Sequence, residues 1–310
     1  MTAQDPPAVA RRRVRLALRN ARQRQKLTQQ QVADALEWSL SKVQRIESGD
    51  VSVSTTDLRA ALLLLDVRDP RRVDQLVEDA KASRRQRWWT RPEYRDHLTP
   101  AMLQLLQFES EATAIRVFQA TLIPGVLQTP DYANWIYNFW SGEDPDGEGL
   151  KVRVDLRAHR RQILFSMPDP PEYLLVLDES VLHRTIGGPS LFADQLAAVL
   201  KFVRDRQISV RIIPFTEGAI SAMLGSFTIL ELGDEEDVFL YREGGWLQDT
   251  FAHSVKEIRR YRETFDQLWA ESFDTEVSVR LIEARMAELR AEVGRESVSR
   301  RKSRGTGFPL

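Results

Sequence analysis

Apolar residues recur at helical spacing through the first 83 residues of the chain. Val14, Leu18 and Ala21 fall on one face of a first helix, predicted between Val9 and Lys26. Four more short helices follow, and each begins after a residue whose side chain can accept a hydrogen bond from the first backbone N–H groups of a helix. These predicted caps are Thr28, Ser39, Ser54 and Asp69. The pattern therefore predicts an all-α head of five helices.

The pattern changes after about residue 100, where short apolar runs alternate with longer amphipathic segments. The runs are typical of buried strands, and the longer segments are typical of helices. Strands are predicted at 115–119, 173–177, 210–213, 227–232 and 238–241, and helices at about 100–111, 131–140, 151–165, 190–206, 254–273 and 277–293. We expect a mixed α/β domain with a central sheet and flanking helices. The predicted domains are residues 1–85, the helical head, residues 86–293, the α/β domain, and residues 294–310, a disordered basic tail.

Composition narrows the class of protein. The chain has 310 residues, of which 42% are apolar and 29% charged, so it can bury a sizeable core. It contains no cysteine, which excludes disulfides and thiolate chemistry. No apolar run approaches the roughly 20 residues that span a bilayer, and the first residues lack the apolar core of a signal peptide. We expect a cytoplasmic, nucleoid-associated protein without a membrane segment.

The net charge of −1 is divided unevenly along the chain. Residues 1–95 hold 20 Lys and Arg against 12 Asp and Glu, which gives a net charge of +8. Residues 96–293 have a net charge of −13, and residues 294–310 have a net charge of +4. A basic head on an acidic body indicates a module that binds a polyanion, joined to a domain with a second role.

The third predicted helix has two chemically distinct faces. At 100° per residue, Val43, Ile46 and Glu47 point back into the helical head. The opposite face carries only side chains that can hydrogen-bond a base edge or a phosphate, as a helix in the major groove of double-stranded DNA requires. These side chains belong to Ser41, Lys42, Gln44 and Arg45.

Three short motifs in the head match one known pattern. They are Leu-Arg-x-x-Arg at 18–22, Leu-Thr-Gln at 27–29 and Arg-Ile-Glu-x-Gly at 45–49. In these motifs the head resembles the Xre/Cro-like family of helix-turn-helix transcriptional regulators. Members of that family usually carry glycine in the turn, where this chain has Glu37-Trp38, and often carry glycine at the position of Lys26.

The resemblance assigns roles to single residues. It implies that Gln29 anchors a phosphate and that Arg22 and Glu47 form a structural pair inside the bundle. Arginine is the commonest reader of guanine, so Arg45 is the first candidate for a base contact. Lys42 is either a phosphate contact or a plain solvated lysine. The predicted DNA-binding residues are Gln29, Gln30, Ser39, Leu40, Ser41, Lys42, Gln44 and Arg45.

The second domain also carries specific strings of residues. They are Leu-Ile-Pro-Gly-Val-Leu-Gln-Thr-Pro-Asp-Tyr-Ala at 122–133, Arg-Ala-His-Arg-Arg-Gln at 157–162 and Leu-Asp-Glu-Ser-Val-Leu at 177–182. They resemble the domain of unassigned function that follows Xre-like heads in the WhiJ-like group of actinobacterial regulators. The resemblance implies an antitoxin-like regulator controlled by a small acidic protein encoded nearby. Regulators of this kind bind palindromic operators as homodimers.

Polar residues of the second domain are candidates for binding a ligand or a protein partner. Gln128 follows a Pro-Gly turn, Arg157 and Arg161 share a helix face, and Glu179 and Arg184 flank a helix start at the end of a strand. The alternatives are that Glu179 caps a helix and that the arginines form a solvated stripe. A further alternative is a protein-interaction scaffold that the head tethers to DNA.

The sequence contains no pattern that favours an enzyme. The four histidines lack metal-ligand spacing, and the chain has neither a nucleophile elbow nor a glycine-rich phosphate loop. No metal, cofactor or catalytic residue is expected, and an enzyme with a DNA-binding head is the least favoured interpretation.

Overall fold

The computed structural model describes two compact units, residues 1–95 and 96–310. The predicted boundary at residue 85 falls within the first unit. The described residues are 7–49, 51–84, 89, 91–95, 97–141, 148–167, 169–217, 223, 225–233, 238–244, 249–252 and 254–304. Among them, no helix combines the length and the hydropathy that crossing a membrane requires.

The first unit is helical. Its core consists of apolar residues from the first five helices, with Val14 and Leu18 packed among Val32, Val43 and Leu58. The helices are α1 (Pro7–Arg24), α2 (Gln29–Ala35), α3 (Leu40–Glu47), α4 (Thr55–Leu64), α5 (Pro70–Ser83) and α6 (Pro92–Arg95). The five predicted helices are confirmed, and the short α6 was not predicted.

Side-chain caps fix where these helices begin. The Thr28 hydroxyl accepts a hydrogen bond from the backbone N–H of Gln31 at 3.1 Å, and the Gln31 side chain accepts one from the backbone N–H of Thr28 at 2.8 Å. Ser39, Ser54 and Asp69 likewise accept from backbone N–H groups in the first turn of α3, α4 and α5. Such caps are worth about 1 kcal/mol each.

The second unit is built on a six-stranded mixed sheet. Its strands are β1 (Ala114–Gln119), β2 (Glu172–Asp178), β3 (Ser209–Ile213), β4 (Phe227–Glu231), β5 (Val238–Arg242) and β6 (Thr250–Ala252). The order is β3-β2-β1-β4-β5-β6, in which β1, β2 and β3 are parallel and the other neighbours are antiparallel. The predicted central sheet is confirmed, and only β6, three residues long, was not predicted.

Helices cover both faces of the sheet. They are α7 (Pro100–Glu109), α8 (Pro130–Ser141), α9 (Glu148–Phe165), α10 (Ser180–His183), α11 (Pro189–Arg204), α12 (Val255–Glu271) and α13 (Thr275–Arg304). Phe265 of α12 packs against Phe118 and Phe227 on one face. On the other face, Val117 and Leu175 join a larger core with residues of α7, α8, α9, α11 and α13.

The last helix corrects one prediction. α13 continues to Arg304, so the expected disorder from Gly294 is wrong for residues 294–304. One glycine inside a helix costs only about 1 kcal/mol, and the Arg, Glu and Lys residues after it favour the helix. Ile282 and Leu289 anchor the same helix in the core. The rest of the predicted tail, 305–310, lies outside the described residues.

Candidate functional site

The candidate site in the head is the exposed side of α3. Val43 is 3% exposed and Ile46 is 5% exposed, and both pack in the core of the first unit. Ser41, Gln44 and Arg45 are exposed on the other side. The Arg45 side chain forms no hydrogen bond or ion pair with another described residue. Three polar side chains, one of them an unpaired cation, therefore project from a helix whose apolar side is fixed in the core.

A network behind α3 fixes its C-terminal end. Arg22 donates through Nε and Nη2 to the two carboxylate oxygens of Glu47 at 2.7 and 2.8 Å, and through Nη1 to the Leu27 carbonyl at 2.9 Å. Glu47 is buried, and only 13% of the Arg22 side chain is exposed. The predicted pair is therefore brought together, and it joins α1, the start of α2 and α3.

The two glutamines at the start of α2 have partners within the head. Gln29 is half-buried and donates to Glu47 at 2.8 Å. Gln30 is exposed and donates to Asp34 at 2.7 Å. The phosphate contact expected of Gln29 stays a prediction, and in the free protein its amide instead extends the network around Glu47.

The start of α3 contains the other predicted residues. Ser39 is the N-cap, and Leu40 is half-buried. The Lys42 ammonium lies 3.1 Å from Asp57 and 4.0 Å from the centre of the Trp38 ring. Burial raises the pKa of Asp57, but hydrogen bonds from Lys42 and Ser54 outweigh it and leave that pKa below its usual value. Lys42 is thus neither free nor simply solvated, because Asp57 and Trp38 hold it.

The turn between α2 and α3 uses a left-handed backbone at a residue with a side chain. Glu37 has φ +55°, and Lys26, in the turn before α2, has the same value. Members of the family that the head resembles usually carry glycine in these turns. Glycine adopts this conformation without a steric cost. The turn geometry is therefore kept without glycine, at the cost of local strain.

The second unit contains an open cavity of about 300 Å³. It lies between helices α7, α8 and α9 and the sheet face that carries Val117, the face of the larger core. Its apolar wall includes Met102, Leu105 and Ile136. Its polar wall consists of residues from β1, β5, α7, α9 and the segments after β1 and β5, namely Glu109, Gln119, Gln128, Arg153, Arg157, Arg160, Tyr241, Glu243 and Asp249. An apolar wall with a few convergent polar groups is typical of a small-molecule site.

Two polar groups of the cavity, Arg160 and Asp249, are held by their neighbours. Arg160 forms a two-point ion pair with Glu109, with distances of 2.6 and 3.0 Å, and about a tenth of each side chain is exposed. Asp249 accepts hydrogen bonds from the Tyr241 hydroxyl at 2.5 Å and from the Gly244 N–H at 2.9 Å. The Arg160–Glu109 pair carries no net charge, whereas the two donors to Asp249 are neutral and leave its negative charge in place.

Arg157 is a cation without a carboxylate partner. Its Nε donates to Gln128 Oε1 at 3.1 Å and its Nη1 donates to the Arg153 carbonyl at 3.1 Å. Burial, together with the nearby Arg160 and Arg153, lowers the pKa of Arg157 to about 10. Arg161 donates to the Gln128 carbonyl at 3.0 Å, so the predicted Gln128, Arg157 and Arg161 are brought together. The alternative of a solvated arginine stripe is wrong, because the three arginines of this helix face are engaged within the unit.

Comparison with models of protein families finds two matches in this chain. Residues 14–76 match the helix-turn-helix domain family. Residues 102–284, more than half of the chain, match a domain of unknown function, DUF5753. The chain belongs to the DUF5753 family. No curated protein and no solved structure gives a significant match. Within the DUF5753 domain lie all the charged residues of the cavity, and α2 and α3 lie within the helix-turn-helix domain.

Glu179 and Arg184 do not line the cavity of the DUF5753 domain. Glu179 Oε2 accepts a hydrogen bond from the Phe215 N–H at 2.8 Å. Glu179 stands at the N-cap position of α10, yet its side chain does not cap the helix, and Asp178 instead accepts from the Ser180 N–H at 2.9 Å. Arg184 follows α10 and is exposed.

Sequence reasoning missed most of the polar groups of the cavity in the DUF5753 domain. Glu109, Gln119, Glu243 and Asp249 come from separate segments that only the sheet order brings together. The one local signal is Gln119, a polar residue that follows the apolar Val117 and Phe118 at the end of β1. It is 1% exposed, so its amide lies at a position that normally holds an apolar side chain.

Proposed function

We propose that this DUF5753 protein is a sequence-specific DNA-binding transcriptional regulator whose C-terminal domain adjusts DNA binding in response to a ligand or a protein partner. The observation that carries the proposal is the exposed polar face of α3, with Arg45 unpaired. We also propose that the head is of the Xre type, that the role is WhiJ-like and antitoxin-like, and that the protein is cytoplasmic and nucleoid-associated. The proposal includes no catalytic step.

The geometry of the head supports major-groove reading. A recognition helix must present hydrogen-bonding side chains while its other face is held rigidly, and α3 does both through Val43, Ile46 and the Glu47 network. Arg45 can donate two hydrogen bonds to guanine, and Gln44 can pair with adenine. The charge of +8 over residues 1–95 supplies the attraction to phosphates that positions such a helix.

We further propose that two copies of the chain bind a palindromic operator. Heads of this type contact half-sites about 34 Å apart, one helical turn of DNA. A domain that changes the spacing of two heads changes operator affinity without touching DNA. The small acidic partner protein implied by the resemblance is one candidate input to that domain.

Selection of DNA by the full-length protein tests the proposal. Random duplexes are enriched by binding, and the enriched sequence is then titrated beside a scrambled duplex of the same composition at several salt concentrations. We expect the enriched duplex to bind at least about 10³-fold more tightly, and both affinities to fall steeply with salt. Equal affinity for the two duplexes would show that the head is a non-specific tether and that the regulator assignment is wrong.

A further inference from the structure

The cavity of the DUF5753 domain holds opposite charges that do not meet, among them Arg157 and Glu243, the latter with Asp249 nearby. Among the described residues, no ion pair within 4.0 Å joins Arg157 to Glu243 or to any other carboxylate. Each charge is instead held by a neutral amide, Arg157 by Gln128 at 3.1 Å and Glu243 by Gln119 at 2.7 Å. These amides fix the positions of the charges without neutralising them.

The acceptor side of the cavity has capacity for a donor. Gln119 gives its N–H to Glu243, and its Oε1, which is buried, accepts no hydrogen bond from a described residue. The Gln119 oxygen is enclosed by protein, whereas Glu243 is exposed and has no cation within 4.0 Å among the described residues. An ammonium ion carries three donors and a positive charge, which suits the Glu243 carboxylate.

Arg157, the hydrogen-bond donor in the cavity, lacks an anionic partner in the described part of the chain. Arg157 presents a guanidinium in the cavity, and its two hydrogen bonds go to uncharged oxygens. Guanidinium binds carboxylate through two parallel hydrogen bonds, and such charge-assisted contacts are the strong ones. The neighbouring Arg160 is already matched by Glu109. Arg157 and Arg153 have no carboxylate partner among the described residues, and Arg157 is the more buried of the two.

We propose that this cavity binds a free amino acid with an apolar side chain, its carboxylate on Arg157, its ammonium group on Glu243, and its side chain against Met102, Leu105 and Ile136. A molecule with only one charge satisfies one wall and leaves the other charge desolvated and unmatched. A zwitterion satisfies both, and the volume of about 300 Å³ lies at the small end of ligand pockets. The proposal names the ligand that the proposed regulator senses, and that regulatory meaning rests on the proposed function.

The electrostatics of the unliganded cavity agree with this arrangement. Burial raises the pKa of Glu243, and the effect of Asp249 adds to it, while Gln119, Arg160 and Arg157 act against it. Glu243 is an exposed residue, so solvent offsets part of this effect. A bound ammonium group would supply the cation that this carboxylate lacks.

Thermal unfolding and calorimetry of the full-length protein test the proposal without DNA. The probes are leucine, isoleucine, valine, methionine and phenylalanine, each beside its N-acetyl derivative, which lacks the cation, and its amide, which lacks the carboxylate. We expect at least one amino acid to raise Tm with concentration, and both of its derivatives to bind at least about tenfold more weakly. If no amino acid binds, or if a derivative binds equally well, the proposal is overturned.

Variants assign the two ends of the ligand. Arg157→Gln should weaken the free amino acid and the N-acetyl derivative, whereas Glu243→Gln should weaken the free amino acid and the amide, each by at least about tenfold. Arg184→Gln and Glu172→Gln, at exposed positions away from the cavity, are the matched controls. The opposite pattern would overturn the assignment of the ends. If a variant does not fold, the comparison of ligands on the natural protein still decides.

A second titration separates this inference from the proposed function. Operator affinity is measured with and without the amino acid that binds. Loss of sequence preference in both conditions counts against the regulator, whereas ligand binding by the same protein would still support the cavity. Sequence-specific DNA binding without any amino acid binding counts against the cavity alone.

Discussion

Arg22 and Glu47 form a two-point ion pair that ties the first helix of the head to the end of its recognition helix. The pair is largely buried, and Gln29 adds a third hydrogen bond to the same carboxylate. Removing one partner of a buried pair leaves an uncompensated charge, which is far more costly than the pair itself is stabilising. The orientation of α3 therefore depends on residues behind its exposed face.

The Arg22→Ala substitution should destabilise the head by about 3–5 kcal/mol, because Glu47 would keep only the Gln29 hydrogen bond. Hydrogen exchange of α1 and α3 in the full-length protein measures the effect. Arg24→Ala removes an exposed arginine from the same helix and should leave exchange unchanged. Equal protection in both variants would contradict a structural role for the pair.

The Arg45→Ala substitution should cost about 1–3 kcal/mol of operator binding and relax the preference at one base pair. The reason is that Arg45 is exposed, unpaired and on the outer face of α3. Titration against the operator and its single-base variants checks both effects. Arg59→Ala, an exposed charge-matched change on α4, should alter only the non-specific component. A uniform loss across all base variants would make Arg45 a phosphate contact instead.

The Glu37→Gly substitution should raise the free energy of unfolding of the head by up to about 1 kcal/mol. Glycine removes the roughly 1–2 kcal/mol cost of a left-handed backbone, and part of that gain is lost because glycine makes the unfolded chain more flexible. Denaturant unfolding measures the change, and Glu37→Ala, which keeps the steric cost, is the control. A lower stability of the glycine variant would show that the Glu37 side chain itself is required.

The second unit should lose stability as pH rises, because of Glu243. Its pKa is raised in the folded protein by burial, so the unfolded chain ionises first and the folded state is penalised above about pH 4.5. The stability that Glu243 retains below about pH 4.5 is therefore lost as pH rises through its raised pKa. Glu243→Gln should remove this part of the pH dependence, and Glu172→Gln should not. Thermal unfolding from pH 4 to 8 makes the comparison, and identical profiles for the natural protein and Glu243→Gln would contradict it.

The faces of α3 were predictable from sequence and the cavity was not, for one physical reason. The sides of a helix follow from residues three and four apart, so Val43, Ile46 and Arg45 could be assigned locally. The cavity depends on Gln119 meeting Glu243 across β1, β4 and β5, a pairing set by the sheet order. The Arg157–Gln128 contact lay between these cases, since both residues were candidates but their pairing was not predicted.

Because Lys42 contacts Asp57 and Trp38, few side chains of α3 remain that could contact DNA bases. With Lys42 held by Asp57 and Trp38, the free side chains of α3 span only Ser41 to Arg45. At 1.5 Å per residue that distance is about 6 Å, close to the spacing of two stacked base pairs. A sequence of about two base pairs recurs throughout any genome, so a single head would have matching sites almost everywhere. The proposed dimer would meet this need, because two copies of α3 would bind two such short sequences at a fixed separation.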